Sequence, residues 1–591
     1  MAAEGAGAQE RSGTAYRVVD HIVGHLASVG VTHIFGVDGA NIEDLYDAAY
    51  FRSDLTAVLA KHEFSAAVMA DGYSRAGKGF GVVAATSGGG SLNLIPGLGE
   101  ALASRVPVLA LVGQAPMPLD GRGSFQDTSG CNGSLNAEDL FGAISVFCER
   151  VTKATDIVDA PPRAIAAARS GGPAVLLLPK NIQQETIARP DQQHRNGHQP
   201  GQRQAGNPHP LVRALRRARG PVTIVAGEQV ARDDARVELE QLRAVLRARV
   251  ACVPDAKDVA GIPGLGSSSA LGVTGVIGHP GAVEALATSA VCLLVGTRLP
   301  VMARAGLDDV LTPSRTYSIG SAAPYLPCTH VQTEDLRESL TQLTRALTGH
   351  GRPLGVRVPD LVPHTELAPP RCADDGIRYR DAMAELDRVL PDGANIVVDA
   401  GNTGAAAVHY LPVRRDGRFV VALGMGGMGY SFGAGIGMAF ARPRERTVII
   451  SGDGSFYMHG LELHTAIQYR LPVTVVLFNN NAHAMCVTRE QLYYRDLYSY
   501  NRFTPSRLGA GLAAMFPGLV STDVTDIDRL PAALATALHT DGPAVVSVEC
   551  SADEIPPFVP FLTAIHAAAQ ECQPPCQPTE QEDTINVPAS A

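Results

Sequence analysis

TVIISGDGSF (447–456) and VTVVLFNN (473–480) are the stretches from which the fold can be read. Each opens on a run of β-branched and apolar residues without alternation, the pattern of a strand buried on both faces. The first run ends at Gly452 and the second at Asn479-Asn480, with helical periodicity between them near Leu461–Tyr469, so the segment reads as strand–helix–strand. Parallel neighbours bring their carboxyl ends together, which places Asp453 and Asn480, 27 residues apart, at one sheet edge. A carboxylate with a side-chain carbonyl is a hard oxygen set, suited to Mg²⁺ when phosphate oxygens supply further ligands. Gly454 and Ser455 add backbone N–H groups and a hydroxyl at a helix start, where phosphates bind. GDG alone also fits a strand-end turn with an aspartate cap; the second strand end and the Asn pair favour the ligand site.

Working outward, the same pattern recurs. HIFGV, GVVAAT, VPVLALVG and PAVLLLP fall in residues 15–182, PVTIVAG, RVACVP and AVCLLVG in 211–348, and NIVVDAG and GPAVVSVEC join the two opening stretches in 373–568. Helical stretches separate them. The expectation is an α/β chain of three doubly wound parallel-sheet domains. Polar, Pro/Gly-rich segments at 183–210 and 349–372 read as linkers, and 1–14 and 569–591 as disordered tails.

Composition narrows the function classes. Of 591 residues, 45% are hydrophobic and 18% charged, which supports large cores and excludes a disordered chain. The net charge is −10, no long basic run occurs, and Trp is absent, so nucleic acid is not an expected partner. Basic residues are 44 Arg against five Lys, a bias that suggests a GC-rich genome rather than a mechanism. Ten scattered Cys without a C-x-x-C pair read as reduced cytosolic thiols, not a disulfide framework or zinc site, Cys572 and Cys576 in the tail included. The N-terminus shows no apolar signal-peptide core, which points to a cytoplasmic protein. Phe419–Ala441 is uncharged over 23 residues and long enough to span a bilayer, but seven are Gly, four of them in GMGGMG; a buried loop and helix, not a membrane segment, is expected.

GDGSF…NN resembles the diphosphate–magnesium motif of thiamine diphosphate enzymes. The resemblance covers about residues 15–568, is nearest to the acetohydroxyacid (acetolactate) synthase group, and within it to divergent carboligases of secondary metabolism. It implies thiamine diphosphate and Mg²⁺ as cofactors, with Asp453, Asn480 and Ala482 as metal ligands. Within VLAKHEFSAAVMADGYSRA (58–76), it places Glu63 against the pyrimidine nitrogen of the cofactor. A carboxyl group there favours the imino tautomer that removes the thiazolium C2 proton; the carbanion attacks a 2-oxoacid, and the ring accepts the electrons left by CO₂. Such a Glu needs partial desolvation, which the flanking Phe64, Ala66, Ala67 and Val68 suit. A helix-start Glu favoured by the dipole is the alternative.

Other elements follow the family with departures. Gly424–Gly429 resembles the loop whose apolar side chain, here Met428, wedges the cofactor into its bent form, with the Gly426 carbonyl on its amino group. Asn402 and Thr403 stand in the other diphosphate-side loop, and Met485 belongs to the cofactor set. GVDGAN (36–41) replaces an FGxPGG-like loop, TSGGG (86–90) an SGPG element, and Phe125-Gln126-Asp127 resembles FQE, whose Gln lies near the active site. No His-His pair stands here, which disfavours the pyruvate decarboxylase subgroup. After the Asn pair the synthases read NN-x-x-QGM-x-x-QW; here Arg489 takes the Trp position, where it either meets a polar or anionic acceptor or is a solvated helix Arg. His483 is a proton shuttle or a structural His. Gly227, Gly272–Gly275 and Gly296–Arg298 loosely match loops that hold a structural FAD in synthases, so FAD is bound or its site is vestigial.

The function implied is decarboxylation of pyruvate or a similar 2-oxoacid, with transfer of the acyl-anion equivalent to a second carbonyl compound. A non-oxidative decarboxylase, a flavin-linked oxidase and an inactive regulatory homologue are the rivals. The resemblance also implies a homodimer or homotetramer whose sites bridge the first domain of one subunit and the third of another.

Overall fold

The computed structural model describes residues 16–77, 79–189, 203–260, 271–349, 365–414, 416–497 and 499–571. The first sheet comprises β1 (His33–Val37), β2 (Thr56–Leu59), β3 (Gly81–Ala85), β4 (Val108–Gln114), β5 (Phe147–Arg150) and β6 (Pro173–Pro179), in the order β2-β1-β3-β4-β6-β5. The central sheet has β7 (Val222–Ala226), β8 (Arg249–Cys252), β9 (Val291–Val295), β10 (Thr316–Gly320) and β11 (Thr329–Gln332), in the order β11-β10-β9-β7-β8. The third sheet has β12 (Asn395–Val398), β13 (Phe419–Val421), β14 (Thr447–Gly452), β15 (Val473–Asn479), β16 (Val520–Val524) and β17 (Ala544–Glu549), in the order β13-β12-β14-β15-β17-β16. Every named pairing is parallel. This is the three-domain α/β architecture expected from the sequence. The first and third sheets share one strand order, 2-1-3-4-6-5.

In open parallel sheets ligands settle where the strand order reverses, beyond the carboxyl ends. Those points lie between β1 and β3, between β7 and β9, and between β12 and β14. Loops after these strands therefore occupy the three crevices: Asp38 and Thr86, Gly227 and Gly296, Asp399 and Asp453. At the central crevice Gly227 packs close, since a Cβ on it would lie 2.3 Å from Cβ of Thr297.

Helices Glu63–Arg75 and Tyr430–Ala441 follow β2 and β13, the equivalent strands of the two like sheets, and cross each other. Glycine sets their separation. A Cβ on Gly72 would stand 2.1 Å from the Ala434 carbonyl oxygen, and one on Gly437 2.0 Å from that of Met69. Beside the crossing, Asp71 accepts hydrogen bonds from Arg75 Nε at 2.7 Å and from the Tyr430 hydroxyl. All three domains meet nearby: Asp258 of the central domain pairs with Arg418 of the third and Arg236 of its own, and Arg418 also donates to the Arg75 carbonyl. The adjacent Lys257 is buried and donates to the Val408 and Leu411 carbonyls at 2.6 and 2.5 Å, at the carboxyl end of helix Asn402–Tyr410.

Several expectations change in detail. The helix after Gly452 begins at Asp453 itself and runs to His459, before a second helix at Leu463–Gln468. Helices Lys180–Gln184 and His209–Arg217 extend into the 183–210 segment, and helix Val559–Glu571 runs past 568. The tail 1–14 and most of 569–591, with Cys572 and Cys576, lie outside the described residues, as do 190–202 and 350–364 of the linkers. The uncharged stretch from Phe419 resolves into β13, a loop and a buried 12-residue helix. Among the described residues no helix is long and apolar enough to cross a membrane.

Candidate functional site

The register of β14 on β15, Gly452 opposite Phe478, sets the two strand ends side by side. Asp453 is 1% exposed, and burial, its largest influence, pushes the carboxyl up to about 7 against the backbone N–H groups of Gly454, Asn481 and Ala482 that face it. Its Oδ2 is buried without a hydrogen-bond partner. Asn480 is held from both ends: Oδ1 accepts from the Ala482 N–H at 3.0 Å and Nδ2 donates to the Tyr379 hydroxyl at 3.2 Å. Asn481 takes the left-handed conformation (φ 54°), and the Phe503 and Ser506 N–H groups pin it at 2.6 and 2.8 Å. Among the described residues no group of three or more His, Cys, Asp and Glu is placed to hold a metal. A partnerless buried carboxylate oxygen beside amide and backbone carbonyls fits a hard cation that takes its remaining ligands from elsewhere.

Asp399, one strand over, stands in the NIVVDAG run, where no motif gives it a task. It is the organiser here. Its carboxylate accepts from the Gly429 and Ser431 N–H groups, both at 3.0 Å, and from the Ser455 hydroxyl at 2.6 Å. The Ser455 hydroxyl proton is thus committed to Asp399. Asn402 and Thr403 open helix Asn402–Tyr410, and Asn402 Oδ1 is also buried without a partner. Met428, Gly454 and His483 converge. The space a Gly454 Cβ would fill lies 3.4 Å from Met428 Cε and 2.5 Å from His483 Nδ1. Burial lowers the pKa of His483, its Nδ1 has no partner, and its ring stands edge-on to Phe503. Met485 is half-buried one residue into helix Ala484–Tyr493, whereas Arg489 on the same helix is exposed. Gly426 is exposed at the loop apex.

At the first sheet, Glu63 begins its helix and is 9% exposed. Its Oε2 accepts from Asn93 Nδ2 at 2.9 Å, and a Cβ on Gly90 would lie 2.9 Å from both Oε1 and Thr86 Cγ2. Gln126 sits in the left-handed region (φ 59°), and its Oε1 faces the Thr86 and Ser87 hydroxyls at 3.3 and 3.4 Å. That directs the amide nitrogen of Gln126 away from these hydroxyls. Asn41, which departs from the family loop, donates to Ser87 at 2.7 Å. Phe125 is 76% exposed. Asn93 was missed in the sequence because an exposed Asn carries no periodic or compositional signal.

The structure therefore assembles two half-sites at like positions of like sheets. Glu63, Thr86, Ser87 and Gln126 form one; Asp453, Asn480, Asn402, Met428 and His483 form the other. The helix crossing and a contact of Phe64 with His459, ring centres 4.3 Å apart, join them within the chain. A half-site that offers a buried carboxyl and polar groups, paired with one that offers a cation seat and backbone N–H groups, suits a cofactor with an organic head and an anionic tail.

Comparison with known proteins agrees. Models of the thiamine pyrophosphate enzymes match in three parts: the N-terminal TPP binding domain over residues 16–132, the central domain over 209–319 and the C-terminal TPP binding domain over 399–548. Acetolactate synthase isozyme 2 large subunit of Escherichia coli is 29% identical over 572 residues, 92% of this chain and 96% of that protein. A probable acetolactate synthase large subunit of Methanocaldococcus jannaschii is 27% identical, over 91% of this chain and 93% of that one. Benzoylformate decarboxylase from Polynucleobacter necessarius superposes with a TM-score of 0.76 at 18% identity, over 92% of this chain, and shows the shared fold. Half-sites, sheet order and matched domains lead to one place: this chain belongs to the thiamine pyrophosphate enzymes.

Proposed function

We propose that the protein is a thiamine diphosphate- and Mg²⁺-dependent carboligase of acetolactate synthase type, which decarboxylates pyruvate or a similar 2-oxoacid and transfers the acyl-anion equivalent to a second carbonyl compound. The observation that carries the reading is the partnerless, buried Oδ2 of Asp453 beside Asn480 and the Gly454 N–H. The full-length likeness to acetolactate synthases favours carboligation over simple decarboxylation.

Asp453, Asn480 and the carbonyl of Ala482 would hold Mg²⁺, and the N–H groups of Gly454 and Ser455 with Asn402 would receive the diphosphate. When bound, the cofactor supplies the electron sink for loss of CO₂. Glu63 holds a proton at the pyrimidine nitrogen, with one carboxyl oxygen fixed by Asn93. Met428, next to Gly454, would support the cofactor with its apolar side chain. Gln126 offers its amide N–H groups to substrate oxygen. His483, whose pKa burial lowers and whose Nδ1 has no hydrogen-bond partner, would accept or return a proton through Nδ1. Incubation with thiamine diphosphate, Mg²⁺ and pyruvate, alone and with candidate acceptors, followed by mass spectrometry, tests the proposal. Acetaldehyde as sole product under all conditions would make it a decarboxylase instead.

Three finer readings belong to the same proposal. The chain works as a homodimer or homotetramer, supported by the exposure of Phe125, Gly426 and Asn93 at half-site edges. It acts in the cytoplasm, a reading supported by ten scattered cysteines without a C-x-x-C pair. A structural FAD sits at the β7–β9 crevice near Arg298, whose Nε is buried and unpaired. The purified protein should then be yellow. A colourless protein, active without added FAD, removes the flavin and leaves the rest standing.

A further inference from the structure

Glu100 lies on the first-domain helix Ile95–Ala103, 2% exposed, and belongs to neither half-site. Its carboxylate reaches into the third domain. Oε2 accepts from the Met425 N–H at 2.6 Å and Oε1 from the Gly424 N–H at 3.3 Å, so two successive amides of the glycine loop converge on one carboxylate. The carboxylate is itself held by the Ser104 hydroxyl at 2.5 Å, with Arg75 Nη2 at 3.6 Å. Gly424 must lack a side chain, since its Cβ would come within 2.7 Å of Ala103 Cβ and 3.0 Å of Glu100 Oε1. From the clamp onward the loop is exposed through Gly426, and Asp399 holds it again at the Gly429 N–H.

We propose that Glu100 is a positioning residue: it clamps the start of the glycine loop, so that Gly426 and Met428 hang between two carboxylate anchors, Glu100 and Asp399. The proposal rests on the reading of that loop as a cofactor support. A carboxylate that accepts from two N–H groups is a strong, directional anchor. Gln offers one acceptor oxygen and turns an NH₂ toward the second amide, so Glu100→Gln releases one anchor without removing bulk.

Hydrogen exchange by mass spectrometry on the full apo chain reads the clamp directly. In Glu100→Gln, peptides that contain Gly424 and Met425 should exchange about tenfold faster, while peptides of β3 and β4 keep their wild-type rates. Calorimetric titration with thiamine diphosphate and Mg²⁺ should show binding about tenfold weaker, at a melting temperature close to wild type. Unchanged exchange at 424–425 overturns the clamp, and weakened binding with unchanged exchange overturns its positioning role. If wild type binds no thiamine diphosphate, the cofactor reading fails and the exchange result still judges the clamp. Should Glu100→Gln not fold, Ser104→Ala removes the donor that orients the carboxylate and should raise exchange at 424–425 to a smaller degree; no change there overturns the proposal too.

Discussion

The first and third domains put the same strand order to opposite chemical use. Beyond β12 and β14 stand Asp399 and Asp453, buried carboxylates turned toward backbone N–H groups, with Oδ2 of Asp453 left without a hydrogen-bond partner. Beyond β1 and β3 stand Asp38 and Thr86, with the Thr86 and Ser87 hydroxyls turned toward Gln126. The scaffold fixes where strand ends converge; the residues placed there decide whether a crevice presents buried carboxylates and backbone N–H groups or hydroxyls and an amide. The central domain has a five-stranded sheet in another order, and at its β7–β9 crevice the Gly227 N–H donates to the Val295 carbonyl at 2.9 Å.

The sharpest way to break the contrast is to mutate one half at a time. Asp453→Ala should abolish Mg²⁺-dependent binding of thiamine diphosphate, measured by calorimetry, because an incomplete oxygen shell does not hold metal and diphosphate together. Tight binding by this variant would remove the metal site. Glu63→Gln should bind the cofactor almost as wild type yet slow C2 proton exchange by ~10²–10⁴-fold, the usual worth of a positioned acid–base group. Unchanged exchange by NMR would take Glu63 out of the chemistry.

Mixing these two inactive variants asks whether the half-sites complement across subunits. If each site joins the first domain of one subunit to the third of another, co-refolded mixtures should regain roughly a quarter of wild-type activity, from statistical pairing of subunits. Mixtures as dead as either parent place both halves in one chain.

Arg489 probes the acceptor with a smaller effect. Exposed in the single chain, it faces either a partner-completed pocket or solvent. In the first case Arg489→Trp should shift acceptor choice between pyruvate and 2-oxobutyrate toward the latter by on the order of tenfold, since a charge-assisted hydrogen bond is worth about 1.5–3 kcal/mol. An unchanged product ratio assigns it to solvent.

The smallest effect is on stability. Burial pulls the Lys257 amine from 10.5 down to about 7. Between these values the unfolded chain holds more protons than the folded one, so stability should rise with pH from about 7 toward 10. Lys257→Met should flatten that rise, read as melting temperature at pH 7 and 9. Parallel slopes for the two proteins would show that this amine titrates as in water.

Much of this was legible beforehand. The strands of the opening runs, continuous in Val, Ile and Leu, are all present, because burial on both faces leaves a signal that survives without context. The strands FCER (β5), THVQ (β11) and VSTDV (β16) escaped, being short, polar sheet edges. TYSIG (β10) escaped because its buried Thr316 and Ser318 imitate a turn. Asp453 and Glu63 declared themselves through motif context, whereas Asp399, Asn93 and Glu100 act through contacts 30 to 325 residues away in sequence, which no local pattern announces.

The glycine-gauged crossing of helices Glu63–Arg75 and Tyr430–Ala441 has a consequence for anyone who would remodel this catalyst. Residues at the sheet rims, such as Asp38 and Phe125 on loops and Arg489 on an exposed helix face, can vary without disturbing this packing. The crossing cannot: a single methyl at Gly72 or Gly437 would wedge apart the helices that carry Glu63 and the glycine loop, at a cost of about 1–3 kcal/mol and, worse, a misalignment of the two half-sites. Variation in a laboratory library should therefore pile up at the rims of the sheets and thin to nothing along this seam, whatever product is selected for.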